Sequence, residues 1–354
     1  MLGNYLPGDY DIFAGVDVGK KSFSFTVRDH NVMSKTKTIP SEPEQLYNYT
    51  MKRFPGQKVL FAYEAGPTGY HLHDYLSAKK QHCLVVSPLS IPKAPNQRVK
   101  NNRIDSRKIV EELKAGKLKS IRIPQDSYRE LRHLVNLREN YVHNRKAAKQ
   151  RIKSLLLHTN LWKCFKDTEQ NWSGNYIREL KKLPCSNAVH QRLDMLLMDL
   201  DYARKQTLSI LNQLRTFVKI HKGIQQNIHY LVSIPGIGFI TAVTILGRIG
   251  DPGNLRNVRE LAAFVGLVPT ENSTGEDVDR GSITHLGDRR LRSLLIEAAW
   301  AAIRKDAELS QFYYRIKSRH HIKIAARKAI VAVARKLTQR IYCVLKEQRE
   351  YIVR

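Results

Sequence analysis

The sequence predicts an α/β domain over roughly the first 125 residues and a helical fold over the remainder. Two observations support this fold class. In the N-terminal third, short apolar runs alternate with Gly- and Pro-containing turns and amphipathic stretches, which is the order of strands and helices in an α/β domain. Further along, apolar residues recur every three or four positions over long stretches, which is the period of a helix.

The N-terminal elements follow in order. Residues 11–29 predict two strands around a Gly-Lys turn, and residues 57–80 predict a buried strand, a Gly-Pro-Thr-Gly loop and a helix. Residues 81–93 add another buried strand, and residues 101–118 predict a helix. We expect these elements to form one domain over residues 1–126. The apolar side of the last helix carries Ile104, Ile109, Val110 and Leu113.

A helical region is predicted next, over residues 127–225. Residues 127–158 are apolar on one side and crowded with Arg and Lys on the other, and residues 189–215 show heptad order for about three repeats. This pattern fits a coiled-coil arm, and it fits equally well a helical hairpin that packs on itself. The heptad positions are Leu193, Leu196, Leu200, Ala203, Thr207, Ile210 and Leu214.

The C-terminal region, residues 226–354, is predicted to be mainly α-helical. Its apolar stretch 231–250 contains a tight turn with Gly236 and Gly238 that resembles a helix-hairpin-helix turn. Glycines in such a turn let backbone N–H groups approach a DNA phosphate closely. The alternative is an ordinary turn between two helices, with glycines needed for packing.

The charge of the chain indicates a polyanionic partner. Lys and Arg number 60 against 32 Asp and Glu, a formal net charge of +28. Nucleic acid is the expected partner of so basic a chain. A membrane is not expected, because the apolar run 293–303 is shorter than the roughly 18 residues that a spanning helix needs. The 4 cysteines form no CxxC motif and the N-terminus lacks a signal-peptide pattern, so we expect a cytoplasmic protein with free thiols.

Acidic residues mark a candidate metal site. Asp17 precedes a glycine turn at the end of the first strand, and Glu64 ends another apolar strand. Carboxylates at strand ends hold Mg²⁺ in RNase H-like nucleases and lie near a phosphate in actin-like ATPases. Asn102 and Asp105 share one face of the following helix, where they could instead cap its first turn.

A polar, glycine-containing loop within residues 264–292 carries the second candidate site. Ser273 and Thr274 precede Gly275, and the nearest downstream histidine, His285, is not adjacent. Without further information the loop could equally be a solvated surface segment. The arginines that follow could hold a phosphate. They are Arg280, Arg289, Arg290 and Arg292.

Five segments, in this order, resemble those of the DEDD transposases of insertion sequences. These transposases are bridge-RNA-guided recombinases and are related to the Piv DNA invertases. They are GVDVGKKSF, YEAGPTGY, SPLSIPKAPNQRVKNNRIDSRKI, SIPGIGFITAVTIL and LAAFVGLVPTENSTGEDVDRGSITHLGDRRLRSLLIEAAW. The resemblance covers most of the chain. It implies a RuvC-like domain with the RNase H fold, a coiled-coil region and a C-terminal transposase domain with a catalytic serine.

The resemblance also implies roles for individual residues. Its acidic set corresponds to Asp17, Glu64, Asn102 and Asp105, which would bind Mg²⁺, and Asn102 departs from the family's aspartate. An asparagine oxygen can still ligate Mg²⁺, but as a neutral group. The serine that attacks the DNA backbone corresponds to Ser273, with Thr274 as the competing alignment.

The partners implied by the resemblance are double-stranded DNA, at an element end and a target, and a noncoding guide RNA. The acidic set and the serine would meet between protomers of a homo-oligomer, a dimer or a tetramer, assembled through the helical arm. Two alternatives remain open. One is a RuvC-like, metal-dependent, structure-selective endonuclease that uses activated water, and the other is a nuclease-inactive DNA-binding protein. An actin-like ATPase is less favoured, because no second phosphate-binding glycine loop is found.

Overall fold

The fold is described by a computed structural model. It divides into two compact units, Met1–Ile123 and Pro124–Arg354. The second unit contains both of the regions that the sequence separates at residue 225, so the predicted three-domain division stays a prediction. The structure describes residues 5–91, 102–164, 172–271, 280–284 and 286–352.

A five-stranded mixed sheet forms the centre of the N-terminal unit. Its strand order is β3-β2-β1-β4-β5, with β1–β2 and β2–β3 antiparallel and β1–β4 and β4–β5 parallel. This mixed sheet confirms the predicted α/β fold and is consistent with an RNase H-like domain. The strands are β1 (Ile12–Val18), β2 (Ser22–Arg28), β3 (Lys37–Pro40), β4 (Val59–Glu64) and β5 (His82–Val86).

Helices cover both faces of this sheet. One face packs under α1 (Pro43–Arg53) and α2 (His71–Ala78), and the other packs under α3 (Asn102–Lys114). Alternate residues of the strands enter the two cores, which explains why β1 and β4 read as continuous apolar runs. The core side chains include Phe23, Phe25, Leu46 and Leu72 on the first face and Phe13, Leu60, Ile109 and Leu113 on the second.

The C-terminal unit is built from nine further helices and one short hairpin, as far as the described residues go. Its hairpin strands are β6 (Pro269–Glu271) and β7 (Arg280–Ile283). The helices are α4 (Asp126–His158), α5 (Gly174–Lys181), α6 (Asn187–Ile220), α7 (Lys222–Val232), α8 (Phe239–Ile249), α9 (Val258–Val265), α10 (Arg289–Ala302), α11 (Ala307–Lys317) and α12 (Ile322–Glu347).

The heptad face of α6 is covered within the chain. Helices α4 and α6 pack along each other, and the two halves of this pairing belong to separate hydrophobic clusters. The hairpin arrangement, which the sequence left open, therefore accounts for the heptad pattern. The heptad residues buried in α6 are Leu193, Leu200, Ala203, Thr207, Ile210 and Leu214.

Around α8 and α12 lies the main core of the C-terminal unit. Residues Ala242–Leu246 of α8 are buried on all sides, and α12 is buried along much of its length. Despite this apolarity, none of the helices in the described part of the chain combines the length and hydropathy needed to cross a membrane.

Gly236, in the turn between α7 and α8, is required by packing. Its φ is +90°, and a Cβ there would lie 2.5 Å from the carbonyl oxygen of Ala298 and 2.8 Å from the backbone nitrogen of Ala302 in α10. By contrast, a Cβ on Gly238, which precedes α8, would meet nothing within 4 Å. Of the two glycines predicted to approach DNA, Gly238 is the one with open space beside it.

A buried ion-pair network joins α11 to α12. The Asp306 carboxylate is 2% exposed, caps α11 by accepting from the Leu309 N–H, and accepts from Arg340 Nη1 at 2.6 Å. Arg340 also donates to Glu308, which Lys336 contacts as well. Burial raises the pKa of Asp306, but the hydrogen bond and charge of Arg340 outweigh it and hold this pKa below its ordinary value.

We predict that Arg340→Met destabilises the protein by about 3–5 kcal/mol at pH 7, because it leaves the Asp306 carboxylate buried without its cation. Denaturant unfolding monitored by circular dichroism measures this change. The matched control is Arg335→Met, an exposed position on the same helix, which should change stability by less than about 0.5 kcal/mol.

The destabilisation should also depend on pH. A carboxyl with a lowered folded-state pKa contributes stability above its unfolded pKa and loses that contribution as pH falls through the folded value. The difference between the wild type and Arg340→Met should therefore shrink below about pH 4 as Asp306 becomes protonated. A difference that stays constant down to pH 2.5 would contradict this assignment.

Candidate active site

Asp17 and Glu64 end neighbouring parallel strands at the same level. The β1–β4 register pairs Val16 with Tyr63, so the next residue on each strand is one of these acids. Both acids are partly buried. Because alternate residues share a face, Asp17 projects on the same face as Gly15, and Glu64 on the same face as Ala62. The two carboxylates therefore lie side by side at the carboxyl edge of the sheet.

Helix α3 packs on this same face, directly over Gly15. A Cβ on Gly15 would lie 2.4 Å from the Ser106 carbonyl oxygen and 2.7 Å from the Val110 backbone nitrogen. The side-chain hydroxyls of Thr26 and Ser106 are 3.0 Å apart, which adds a polar link between β2 and α3. Only the missing side chain of Gly15 allows the helix and strand backbones to approach so closely.

The first turn of α3 lies towards the edge that carries the carboxylates. At the opposite end of the helix, Lys114 Nζ donates to the carbonyl oxygen of His30, just past the end of β2 that pairs with the start of β1. Helix α3 thus runs antiparallel to β1, and Asp105, which precedes Ser106, is on the turn nearest Asp17. Asn102 is the first residue of this helix, and its side chain is outside the described part of the structure.

The donor set suits a hard divalent cation. Asp17 and Glu64 offer carboxylate oxygens from adjacent strand positions, and Asp105 offers a third from the helix that covers them. Among the side chains that the structure describes, no three His, Cys, Asp or Glu residues gather closely enough to enclose an ion. The fit therefore rests on two carboxylates at one sheet edge, with the first turn of α3 as the source of further ligands.

Ser273 and Thr274 lie outside the described residues, and the segments on either side of them form two paired strands. Strands β6 and β7 pair antiparallel, with Pro269 opposite Ile283 and Glu271 opposite Arg280. The loop thus begins and ends on a two-stranded ribbon. His285 is also outside the described residues.

Two glycines and a buried arginine connect the end of α9, before this ribbon, to the segment that follows it. Gly266 ends α9 with φ +76°, and a Cβ there would lie 2.1 Å from both Arg292 Nη1 and the Leu286 carbonyl oxygen. Gly287, with φ +94°, approaches the Gly266 backbone nitrogen, which lies 2.7 Å from where its Cβ would be. Arg292 Nη1 donates to the carbonyl oxygens of Val265 and Leu286, at 3.2 Å each.

The predicted phosphate-binding arginines therefore have different environments. Arg292 is only 9% exposed, and its guanidinium donates to backbone carbonyls. In the structure it therefore stabilises the fold instead of being available to a phosphate. Arg290 Nε donates to Glu139 at 3.0 Å but remains partly exposed, and Arg289 is exposed. For Arg280 only the backbone is described, as part of β7.

Sequence reasoning missed Glu139 of α4. Its carboxylate pairs with Arg290 of α10 and with Arg248 of α8, whose Nη2 lies at 2.9 Å. Arg248 in turn pairs with Asp288, which caps α10 by accepting from the Leu291 N–H. Glu139 is 109 positions from Arg248 and 151 positions from Arg290 along the chain, so no local pattern could have found these pairs.

Comparison with known protein families identifies this architecture. Residues 14–161 match a DEDD transposase domain of the IS110 type, and residues 228–314 match transposases of the IS116/IS110/IS902 family. The chain is a DEDD transposase of the IS110/IS116 family. Membership implies an enzyme that cleaves and recombines DNA, and the DEDD domain indicates dependence on a divalent metal ion.

Individual relatives agree with this family. The transposase is 29% identical to a Sinorhizobium fredii protein named "Putative transposase y4qE", over 85% of its own length and 74% of the relative's. It is 26% identical to the transposase for insertion sequence element IS1111A of Coxiella burnetii, over 71% and 68% of the two chains. The pilin gene-inverting protein of Moraxella bovis is 29% identical over 34% of this chain and 37% of its own.

We predict that Gly15→Ala destabilises the N-terminal unit of the transposase by about 1–3 kcal/mol, because the new methyl group collides with the α3 backbone. Gly8→Ala is the matched control in the same unit, since a Cβ there would meet nothing within 4 Å. Denaturant unfolding of both variants measures the difference. Equal stability of the two would contradict the close packing of α3 on β1.

Proposed function

We propose that this transposase cuts and exchanges DNA strands through a serine nucleophile, Ser273, together with Mg²⁺-binding carboxylates. The observation that carries the metal-dependent part is the side-by-side placement of Asp17 and Glu64 beneath the first turn of α3. Support for the serine is the segment resemblance and the ribbon of β6 and β7 that holds its loop. The substrate is double-stranded DNA at an element end and at a target.

The proposed reaction is a transesterification. The Oγ of Ser273 attacks a backbone phosphorus, an Oγ–P bond forms, the P–O3′ bond breaks, and the proton of the serine hydroxyl ends on the departing 3′ oxygen. A free 3′ hydroxyl from another strand then attacks this phosphorus, a new P–O3′ bond forms, the Oγ–P bond breaks, and the proton of that hydroxyl passes to the serine Oγ. The bonds exchanged are alike, so no external energy source is required.

The carboxylates contribute to this reaction by holding the metal ion. A bound Mg²⁺ would polarise the phosphate and stabilise the charge that develops on its oxygens. Asp17, Glu64 and Asp105 are the proposed anionic ligands, and Asn102 supplies a neutral oxygen where the family has an aspartate. The loss of one negative charge should weaken a second metal ion more than a first.

Arginines and a helix terminus are proposed to hold the DNA backbone. Arg280, Arg289 and Arg290 follow the serine loop closely and can donate charge-assisted hydrogen bonds to phosphate oxygens. Gly238, with open space beside it at the N-terminus of α8, is suited to close approach of a phosphate to backbone N–H groups.

A noncoding guide RNA and a homo-oligomer complete the proposal. Both follow from the resemblance to the bridge-RNA-guided recombinases. The net charge of +28 supports a protein that binds two nucleic acids. In a dimer or tetramer, the carboxylates of one protomer would meet the serine of another, so that cleavage would depend on assembly.

An assay for a covalent protein–DNA adduct tests the serine chemistry. Purified protein is incubated with labelled element-end and target DNA in Mg²⁺, with and without co-expressed RNA, and denatured before electrophoresis. We expect an adduct that disappears in Ser273→Ala and persists in the matched variant Thr274→Ala. Loss of the adduct only in Thr274→Ala would move the nucleophile by one position.

Two other outcomes would change the proposal. Cleavage without any adduct would favour the metal-dependent endonuclease, which needs the same carboxylates but uses water as the nucleophile. The protein could also bind DNA without cleaving it, and Asn102→Asp could restore cleavage. That result would mean that the asparagine makes this chain inactive at its metal site.

We predict that Asp17→Asn and Glu64→Gln each lower the cleavage rate by about a hundredfold or more, since even outer partners of metal sites cost 10–100-fold. Glu111→Gln, at an exposed position of α3, is the control and should leave the rate unchanged. Rates are measured under single-turnover conditions across a range of Mg²⁺ concentrations. Unchanged rates in both carboxylate variants would remove these residues from the site.

A further inference from the structure

Helix α4 carries a row of cations that the proposed active site does not use. Arg138, Arg145 and Lys149 are spaced by seven and four residues, so they lie on one face of the helix and span about 16 Å. Among the described residues, none of the three forms an ion pair with a carboxylate. We call these three residues the α4 cationic row.

The cations of this row are held close to one another and to further cations. Burial lowers the pKa of Arg138, and the charges of Arg145 and Arg290 lower it further, while the charge of Glu139 offsets part of this lowering. Burial likewise lowers the pKa of Lys149, and Arg145, Arg204 and Lys153 add to the effect. Like charges in partly desolvated positions repel one another, so the arrangement costs stability unless an anion binds there.

A cleft beside the row offers room for such an anion. Its volume is about 310 Å³, and its charged lining residues are Lys146 of α4, Arg290 of α10 and Glu139, the carboxylate that Arg290 contacts. The Nε atoms of Arg138 and Arg248 are buried and have no hydrogen-bond partner. Lys146 and the α4 cationic row place positive charge beside this cleft, which favours an acceptor with negative charge.

Internal contacts hold part of the row in place. The Lys149 ammonium lies 5.2 Å from the centre of the Trp172 ring, and Arg204 donates to the Trp172 carbonyl oxygen at 2.7 Å. The Lys149 end of the row is therefore held against Trp172, which Arg204 of α6 holds in turn. Such preorganisation suits the repeated binding of phosphates better than a set of unrestrained surface lysines.

We propose that the α4 cationic row, with Lys146 and Arg290 in the adjoining cleft, binds the sugar-phosphate backbone of a nucleic acid. This inference rests on the proposed function, because it takes the polyanion to be a substrate or guide of the transposase. The row spans about 16 Å, longer than any single small anion, and a nucleic-acid strand carries a charge at every 3.4 Å of duplex axis. Binding of this kind is independent of base sequence.

Fluorescence anisotropy with the full-length protein tests the proposal. The probes are a 30-base-pair duplex DNA and a single-stranded RNA of the same length, both of random sequence, titrated at several salt concentrations. Each lost phosphate contact should flatten the slope of log affinity against log salt by about 0.9 for duplex DNA or 0.7 for a single strand. We expect this flattening in Arg145→Gln and about twice as much in Arg145→Gln/Lys149→Gln.

The matched control is Arg151→Gln, which is exposed on the opposite side of α4 and should keep the wild-type slope. A change confined to one probe identifies the ligand of the row as DNA or as RNA. Equal slopes for Arg145→Gln and Arg151→Gln, whether both change or neither does, would overturn the proposal. In another outcome, the wild type binds both probes while the row variants keep the wild-type slope of log affinity against log salt. That result would contradict nucleic-acid binding by the row but would leave the proposed function unaffected.

Thermal unfolding provides a second readout that a structural role would not give. Without nucleic acid, Arg145→Gln should be at least as stable as the wild type, because one repulsive charge is removed. With saturating probe the order should reverse, because the wild type gains more from binding. A variant that is less stable under both conditions would show that Arg145 serves the fold, and would overturn its assignment to nucleic-acid binding.

Discussion

The arrangement of the N-terminal site depends on the contact between Gly15 of β1 and the backbone of α3. A helix that covers a sheet normally rests on side chains, which keep the two backbones about 10 Å apart. Here the strand offers no side chain, and the Ser106 carbonyl occupies the space of a Cβ. This contact holds the part of α3 that carries Asp105 against the face of the sheet on which Asp17 and Glu64 project. Asp17 and Glu64, from different parts of the sequence, thus share one edge of the sheet, with α3 packed on the same face.

In the C-terminal unit, close backbone contacts and a buried arginine likewise position a candidate functional segment. The ribbon that holds the serine loop is attached through Gly266, Gly287 and the guanidinium of Arg292. Elsewhere in the described part of this unit, Asp306 is paired with Arg340, and the partly buried Arg248 and Arg290 are grouped around the Glu139 carboxylate, so these charges lie beside opposite ones. The α4 cationic row departs from this rule. In a protein that acts on DNA, unpaired and clustered cations indicate a surface shaped for a polyanion.

Much of the fold could be predicted, because the strands and long helices have strong periodic patterns. β1, β2, β4, β5, α3, α4 and α6 all lie where apolar spacing placed them. β3 and α1 were not predicted, since β3 is short and exposed and the polar sequence of α1 carries few buried residues. The heptads of α6 could not reveal their partner, because the same spacing serves a hairpin and a coiled coil. Only the packing of α4 along α6 distinguished the two.

The sequence by itself determined the fold class, the family resemblance, the basic charge and the identity of the candidate acids and serine, because these are properties of local pattern and composition. Tertiary structure decided which of these residues meet. It placed Asp17 beside Glu64, made Gly236 a packing residue and left Gly238 open, and buried Arg292 beneath the ribbon. It also assembled Glu139 with Arg248 and Arg290, and Arg138 with Arg145. The physical reason is that register, close approach and desolvation arise between elements, and no single segment encodes them.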